Sequence, residues 1–316
     1  MKIVLLDAFT ANPGDLSWEG LEAFGEVVVH ERTAPEDVVE RCEGAQVVLT
    51  NKALVPAEAI QALPDLEYIG VVATGVNIVD LEAAKEAGVK VTNVPGYSTD
   101  SVAQLTFALI LELASRAGDH SKAVGEGAWE SCADFSFTTG PIVEMAGRRL
   151  GIVGFGAIGQ ATAKIASAFG MDVVVYNRTQ EKVVGYPYLE LDELISTSDI
   201  VSLHCPLTPD TQDLMNAERL ASMKKGAWLI NTSRGPLIDE PALAEALHSG
   251  QIGGAGLDVL CREPMSQGNP LRTAPNCLIT PHIAWATYEA RVRLIDQVVA
   301  NVKAWIDGSP VNVVNA

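Results

Sequence analysis

Positive charge is scarce in this 316-residue chain: 22 Lys and Arg face 40 Asp and Glu, a formal net charge of −18. That surplus repels polyanions at long range, which excludes nucleic-acid backbones and anionic membrane surfaces as main partners. It leaves room for one local anion pocket made by backbone amides or a single Arg. Cysteine is sparse too. Cys42, Cys132, Cys205, Cys261 and Cys277 form no C-x-x-C pair and no recognisable metal-ligand spacing. A disulfide scaffold is therefore excluded, no metal site is expected, and reduced, inert thiols are. Long apolar runs are missing: Asp7 interrupts Met1–Leu6 too soon for a signal peptide, and no run approaches a membrane span. Tandem repeats and low-complexity tracts are absent, which sets aside solenoids, collagen-like sequence and disorder. The expectation is a soluble, cytoplasmic protein with neither a nucleic-acid nor a membrane partner.

What is present is apolar and periodic. The chain is 48% hydrophobic, and its length suggests two domains at roughly 150 residues each. Short β-branched runs alternate with longer amphipathic stretches. Strands are predicted at 2–6, 26–29, 46–49, 68–72 and 90–92, with helical segments at 35–42 and 81–87 between them. A long helix is predicted from Ser98–Thr99 through Ala117, ended by Gly118, Gly125 and Gly127. The stretch 128–147 is irregular, with Trp129, Phe135 and Phe137 projecting, as at a subunit interface, over a site or in local packing. A second series of strands follows at 149–153, 172–176, 199–203, 227–230, 253–257 and 277–279. The last helix, 287–306, shows an apolar face of Val292, Ile295, Val299 and Val302. The β-α-β-α order implies parallel sheets covered by helices, an α/β class, and the six strands of the second series match a complete doubly wound dinucleotide domain.

The sharpest motif is Gly154-x-Gly156-x-x-Gly159, directly after a strand pattern and directly before a helix. Gly154 permits the tight turn, Gly156 lets the backbone approach a pyrophosphate, and Gly159 allows close helix–strand packing. The pyrophosphate would rest on the free amides of the turn, Ala157 and Ile158 included. At the end of the next strand an acidic side chain is expected for the adenosine ribose; Asn177 and Arg178 stand there instead. Two readings remain open. Loss of the carboxylate and gain of Arg178 favour the 2′-phosphate of NADP(H), or Asn177 bonds the ribose of NAD(H) while Arg178 points to solvent.

Three further segments follow apolar strands of the second series, at the sheet's carboxyl end, where open α/β sheets bind ligands. They are Asn231-Thr232-Ser233-Arg234-Gly235, Asp258-x4-Glu263-Pro264, and Thr280-Pro281-His282-Ile283. Beside a nicotinamide they form a coherent catalytic set. Arg234 can hold a carboxylate bidentately and polarise the adjacent carbonyl, His282 can protonate the oxygen, and Glu263 can hold the imidazole. His204, with Cys205 and Pro206, ends another of these strands and is assigned to the adenosine pocket; His30, His120 and His248 are assigned to surface or packing.

Seven motifs in order make the chain resemble the D-2-hydroxyacid dehydrogenases: ATGVNIVD (73–80), NVPGYSTDSVAQ (93–104), GIVGFGAIG (151–159), LHCPLTPDT (203–211), INTSRGPLIDE (230–240), GAGLDVLCREP (254–264) and TPHIAWAT (280–287). The resemblance implies two Rossmann-like domains: a discontinuous, flavodoxin-like substrate domain of residues 1–98 and 288–316, and an NAD(P)-binding domain of 99–287. It implies Arg234 on the substrate carboxylate and carbonyl, His282 as general acid/base and Glu263 as its partner. It further implies Gly75 and Val76 as amide donors to the carboxylate, and Thr106, Thr211, Thr232, Ser233 and Asp258 as cofactor contacts, Asp258 on the nicotinamide carboxamide. A homodimer is implied as well.

The chain departs from the family pattern at Gln104, where many members carry Glu, at Asn177, and at Ala284-Trp285, which places an indole near the substrate. These departures touch substrate and cofactor preference and leave the catalytic groups in place. Within the family, NPGDLSW (12–18), STDSVAQ and PHIAWAT look most like glycerate dehydrogenases and hydroxypyruvate reductases. No regulatory domain is appended and no cationic cluster awaits a phosphorylated substrate, so hydroxypyruvate or glyoxylate is expected, with NAD(H) or NADP(H). A D-lactate or 3-phosphoglycerate enzyme and an NAD(H)-sensing, co-repressor-like binding protein are the alternatives.

Overall fold

The β-branched runs become eleven strands in a computed structural model that describes residues 1–316, and every pairing between strands is parallel. The chain divides into two units, Met1–Ser98 with Ala286–Ala316, and Thr99–Trp285. The first holds β1 (Lys2–Leu5), β2 (Glu26–Val29), β3 (Val47–Thr50), β4 (Tyr68–Val71) and β5 (Lys90–Thr92) in the order β2-β1-β3-β4-β5. The second holds β6 (Arg149–Val153), β7 (Asp172–Tyr176), β8 (Ile200–Leu203), β9 (Ala227–Asn231), β10 (Ile252–Leu257) and β11 (Cys277–Ile279) in the order β11-β10-β9-β8-β6-β7. Renumbered within its unit, each sheet runs 2-1-3-4-5, and the second adds a sixth strand. Each therefore has its switch point between its first and third strands, at β1/β3 and β6/β8, where the connections leave in opposite directions.

Side chains alternate across the second sheet and build a core on each face. Leu150, Ile152, Val175 and Ile230 pack with Ile110 and Ala163 on one side. Val153, Val201, Leu203 and Leu229 pack with Leu243 and Leu247 on the other. In the first unit Val4, Leu6, Val48, Ile69 and Val91 form the corresponding cluster. No helix is long and apolar enough to cross a membrane, and none of the five cysteines is paired.

Two helices differ from the sequence expectation. The long helix predicted through Ala117 ends at Ser115 (Thr99–Ser115), and a second helix not foreseen, Ala117–Gly125, follows at once. Arg116 separates the two with φ +51°, and the Glu112 carboxylate accepts the Gly118 amide at 3.0 Å, serving the first turn of the second helix. The last helix, Tyr288–Ile306, buries a face turned from the predicted one: Arg291, Leu294, Ile295, Val298 and Val302 are buried, whereas Val292 and Val299 are half-buried. A buried Arg at the centre of that face is made possible by Asp15, which takes its guanidinium bidentately at 2.7 and 2.6 Å. The same ion pair holds the Asp15 carboxyl below the usual range.

Candidate active site

The turn after β6 is built around glycine. Gly154 has φ +98°, and a Cβ there would lie 2.6 Å from the His204 backbone; a Cβ on Gly159 would lie 2.2 Å from the Gly154 carbonyl oxygen. Gly156 meets nothing within 4 Å and faces open space. The helix that follows, Ala157–Ala168, has no side-chain cap, unlike those capped by Asp80, Asn216, Asp239 and Thr287. Its first-turn amides at Ala157 and Ile158 are therefore left for an external acceptor at the positive end of the helix. This is the chemistry a dinucleotide pyrophosphate needs, and the turn fits one.

Around that turn stand the other predicted cofactor residues. Asn177, beyond β7, accepts the Phe155 amide at 3.1 Å and donates to the Thr179 carbonyl at 2.9 Å. Its side chain thus ties β7 to the glycine turn, while Arg178 is exposed with no ion pair. His204, beyond β8, bonds the Ser202 hydroxyl through Nε2 at 2.9 Å. Its Nδ1 is buried and finds no partner within the protein, and burial pushes its pKa down to about 4. Cys205 and Pro206 follow it, and Thr211 donates its hydroxyl back to the Pro206 carbonyl at 2.8 Å. Ser233 donates to the Leu203 carbonyl at 2.9 Å, which joins the β8 and β9 loops. Thr106 is fully buried, with its hydroxyl 2.9 Å from that of Thr232.

The reactive set comes from the ends of three adjacent strands, β9, β10 and β11. Asn231 closes β9 and shapes the next loop, accepting the Ser233 amide at 3.0 Å and donating to the Arg234 carbonyl at 2.8 Å. Arg234 is exposed. Its guanidinium bonds only the neighbouring Ser233 carbonyl, at 2.7 Å, and meets no carboxylate in a chain that has 40 acidic residues. Beyond β11, His282 Nδ1 donates to Glu263 Oε2 at 2.7 Å, and Glu263 Oε1 accepts the Leu260 amide at 3.0 Å. The carboxylate fixes the proton on Nδ1 and leaves Nε2 as the nitrogen free for exchange. Arg234, Glu263 and His282 line one cavity of about 140 Å3, with Gly235, Pro236, Val259, Leu260 and Cys261 as its walls. The structure thus brings the three predicted catalytic groups together. Burial and the nearby Glu240 carboxylate push the Cys261 thiol up to about 12, so the cavity holds no thiolate nucleophile.

The His282 turn is held against its local preference. His282 has φ +56°, in the left-handed region that favours glycine. Asp258, 1% exposed, accepts the Thr280 hydroxyl at 2.6 Å and the Ile283 and Ala284 amides at 2.8 Å each. Burial raises the Asp258 carboxyl, and these three donors oppose the rise. Trp285 completes the turn by donating its indole N–H to the His282 carbonyl at 2.9 Å. Gly75 and Val76 lie in the first unit, in the turn after β4, where the Thr74 hydroxyl bonds the Val94 carbonyl at 2.8 Å.

Sequence reasoning placed Asn231, Gly235 and Thr280 within the site segments without giving them individual roles, and did not single out Glu240. A Cβ on Gly235 would lie 1.9 Å from the Leu260 carbonyl carbon, so the Arg234 loop and the Glu263 loop touch backbone to backbone. Asn231, Gly235 and Glu240 lie inside INTSRGPLIDE, but spacing alone does not show which side chains turn inward.

Residues 107–284 match the family described as "D-isomer specific 2-hydroxyacid dehydrogenase, NAD binding domain". The chain is 49% identical to the hydroxypyruvate reductase of Blautia hydrogenotrophica, with both chains covered in full. It is 42% identical to the glycerate dehydrogenase of Methylorubrum extorquens over 89% of each. Among solved structures, the NADPH-dependent glyoxylate/hydroxypyruvate reductase of Sinorhizobium meliloti superposes with a TM-score of 0.87 at 29% identity, covering 99% of this chain and 97% of that one.

Proposed function

We propose, for a chain that belongs to the D-isomer specific 2-hydroxyacid dehydrogenases, that it reduces hydroxypyruvate and glyoxylate to D-glycerate and glycolate. One observation carries this reading: the 2.7 Å His282–Glu263 pair shares a small cavity with an Arg that has no carboxylate partner. Arg234 takes the substrate carboxylate and polarises the carbonyl beside it. His282 Nε2 gives its proton to the carbonyl oxygen, and Glu263 stabilises the imidazole as it exchanges that proton. A bound nicotinamide supplies the hydride to the carbonyl carbon. The backbone amides of Gly75 and Val76 are proposed as further donors to the carboxylate. Trp285, tied to the His282 carbonyl, limits the bulk admitted and favours a two- or three-carbon acid.

For the cofactor, the proposal is a preference for NADP(H). Asn177 places no negative charge at the end of β7, and Arg178 beside it is exposed and unpaired, as a 2′-phosphate site requires. The segment after the helix Ala117–Gly125 is proposed as a homodimer contact, a reading supported by the exposure of Phe135 (90%), Trp129 (54%) and Ile142. A cytoplasmic location belongs to the same reading.

The deciding experiment is steady-state reduction of a panel of 2-oxo acids with NADH and NADPH side by side. The expected result is the highest kcat/KM for hydroxypyruvate, with pyruvate and 3-phosphohydroxypyruvate at least ten-fold lower. A preference for either of those two, or no turnover on any 2-oxo acid, contradicts the proposal.

A further inference from the structure

Glu240 is a buried carboxylate that the mechanism does not use, bonded to the cavity-lining Cys261. It opens the helix Glu240–His248, is 9% exposed, and takes part in none of the chain's ion pairs. Burying an ionised carboxylate without a cation is costly, even with the helix N-terminus beside it. A neutral side chain could serve ordinary packing at lower cost. Its two oxygens are both committed. Oε1 accepts the Cys261 amide at 2.6 Å, and Oε2 accepts the Asn269 side-chain amide at 2.8 Å. Asn269 in turn accepts the Leu271 amide at 2.9 Å.

The Cys261 amide lies within the loop 258–263, whose Leu260 amide holds Glu263. Its neighbour Leu260 donates to Glu263 Oε1 at 3.0 Å, and Glu263 Oε2 accepts from His282. Gly235 packs on the same Leu260–Cys261 peptide from the Arg234 side. One peptide is therefore gripped by Glu240, touched by the Arg234 loop, and bonded through Leu260 to the carboxylate that holds the catalytic imidazole. From this juxtaposition we infer that Glu240 is a positioning residue for the Glu263–His282 pair, fixing the turn that aims the Glu263 carboxylate at Nδ1. The inference rests on the assignment of Glu263 and His282 under the proposed function.

Removing the grip leaves Glu263 free to rotate away from the imidazole. That lowers the rate of the proton step without changing the Arg234 contact or the pyrophosphate turn. A misplacement of about 1 Å in a catalytic group can cost on the order of a hundred-fold in rate. A purely structural role would instead lower thermal stability and leave kcat per folded molecule unchanged.

The test compares wild type with Glu240→Ala, Glu240→Gln, Asn269→Ala, His282→Ala and Glu263→Gln. It measures kcat and KM for hydroxypyruvate, and NADPH Kd by fluorescence titration, on protein confirmed folded by circular dichroism. Glu240→Ala is expected to lose at least ten-fold in kcat, with KM and NADPH Kd within three-fold of wild type. Glu240→Gln keeps an acceptor for the Cys261 amide but turns its own NH2 toward Asn269, and is expected to recover part of that loss. Should Glu240→Ala fail to fold, Glu240→Gln and Asn269→Ala carry the same test, each with a smaller loss in kcat. Unchanged kcat per folded molecule, or a rise in KM alone, overturns the inference while inactive His282→Ala leaves the catalytic assignment standing. Wild-type turnover in His282→Ala overturns both.

Discussion

At the β1/β3 switch point of the first unit, Asp7 accepts the backbone amides of Asn51, Lys52 and Ala53 at 2.7, 2.5 and 2.9 Å. At the β6/β8 switch point of the second, no side chain caps the helix Ala157–Ala168, and a glycine turn keeps its first amides clear. The two sheets share one strand order, so both crevices lie where a doubly wound fold can bind a ligand. What separates them is a carboxylate on the loop amides in one and a glycine turn before an uncapped helix in the other. In the first unit the amides after β3 are taken by Asp7; in the second the helix after β6 has no side-chain cap, where the proposed pyrophosphate would sit. Strand order sets the place, and the proposed phosphate site rests on the difference in amide partners there.

The largest expected effect comes from filling the open crevice. Gly159→Ala would place a Cβ 2.2 Å from the Gly154 carbonyl oxygen, so the turn must shift. NADPH Kd is expected to rise at least a hundred-fold by fluorescence titration, and an unchanged Kd would show that the turn is not the binding element. The converse change acts on the closed crevice. Asp7→Ala removes the acceptor of two part-buried amides and one exposed amide and is expected to lower unfolding stability by about 1–3 kcal/mol in urea titration, with NADPH Kd unaltered. A matching loss of NADPH binding would erase the distinction between the two crevices.

A smaller effect sharpens the ligand of the open one. Arg178→Ala should weaken NADPH by about ten-fold, the scale of one charge-assisted contact, and leave NADH unchanged; equal effects on both cofactors would return Arg178 to solvent. The smallest concerns His204, which lies beside the Gly154 turn. Its folded-state pKa of about 4 lies below the ordinary 6.5, so the unfolded chain takes up the proton first. Its contribution to stability is full above pH 6.5 and is lost as pH falls toward 4. The Tm of wild type should therefore fall more steeply across that window than the Tm of His204→Asn, and parallel curves would contradict the shift.

Much of this was legible in the sequence because it is carried by local pattern. The β-branched runs marked the strands, and the glycine spacing marked the β6 turn. Arg234, Glu263 and His282 each stood just after an apolar strand, which put them at one end of the sheet. The rest depends on side chains that act over distance. Gly118 marked the end of the long helix to within two residues, but not the second helix that starts at Ala117, because its first turn is served by Glu112, six residues before the amide it accepts. The face of the last helix was misjudged because Arg291 reads as polar until Asp15 is seen against it, 276 residues away. Asp7 and Glu240 were invisible for the same reason: each satisfies amides that no spacing rule connects to it.

The central claim is that His282, held by Glu263, moves the proton to and from the substrate oxygen. It is tested most directly by kcat in His282→Ala with NADPH binding measured on the same sample. General acid/base catalysis is worth about 10²–10⁴-fold, so kcat should fall by that factor while NADPH Kd stays within two-fold. Turnover within two-fold of wild type would contradict the account.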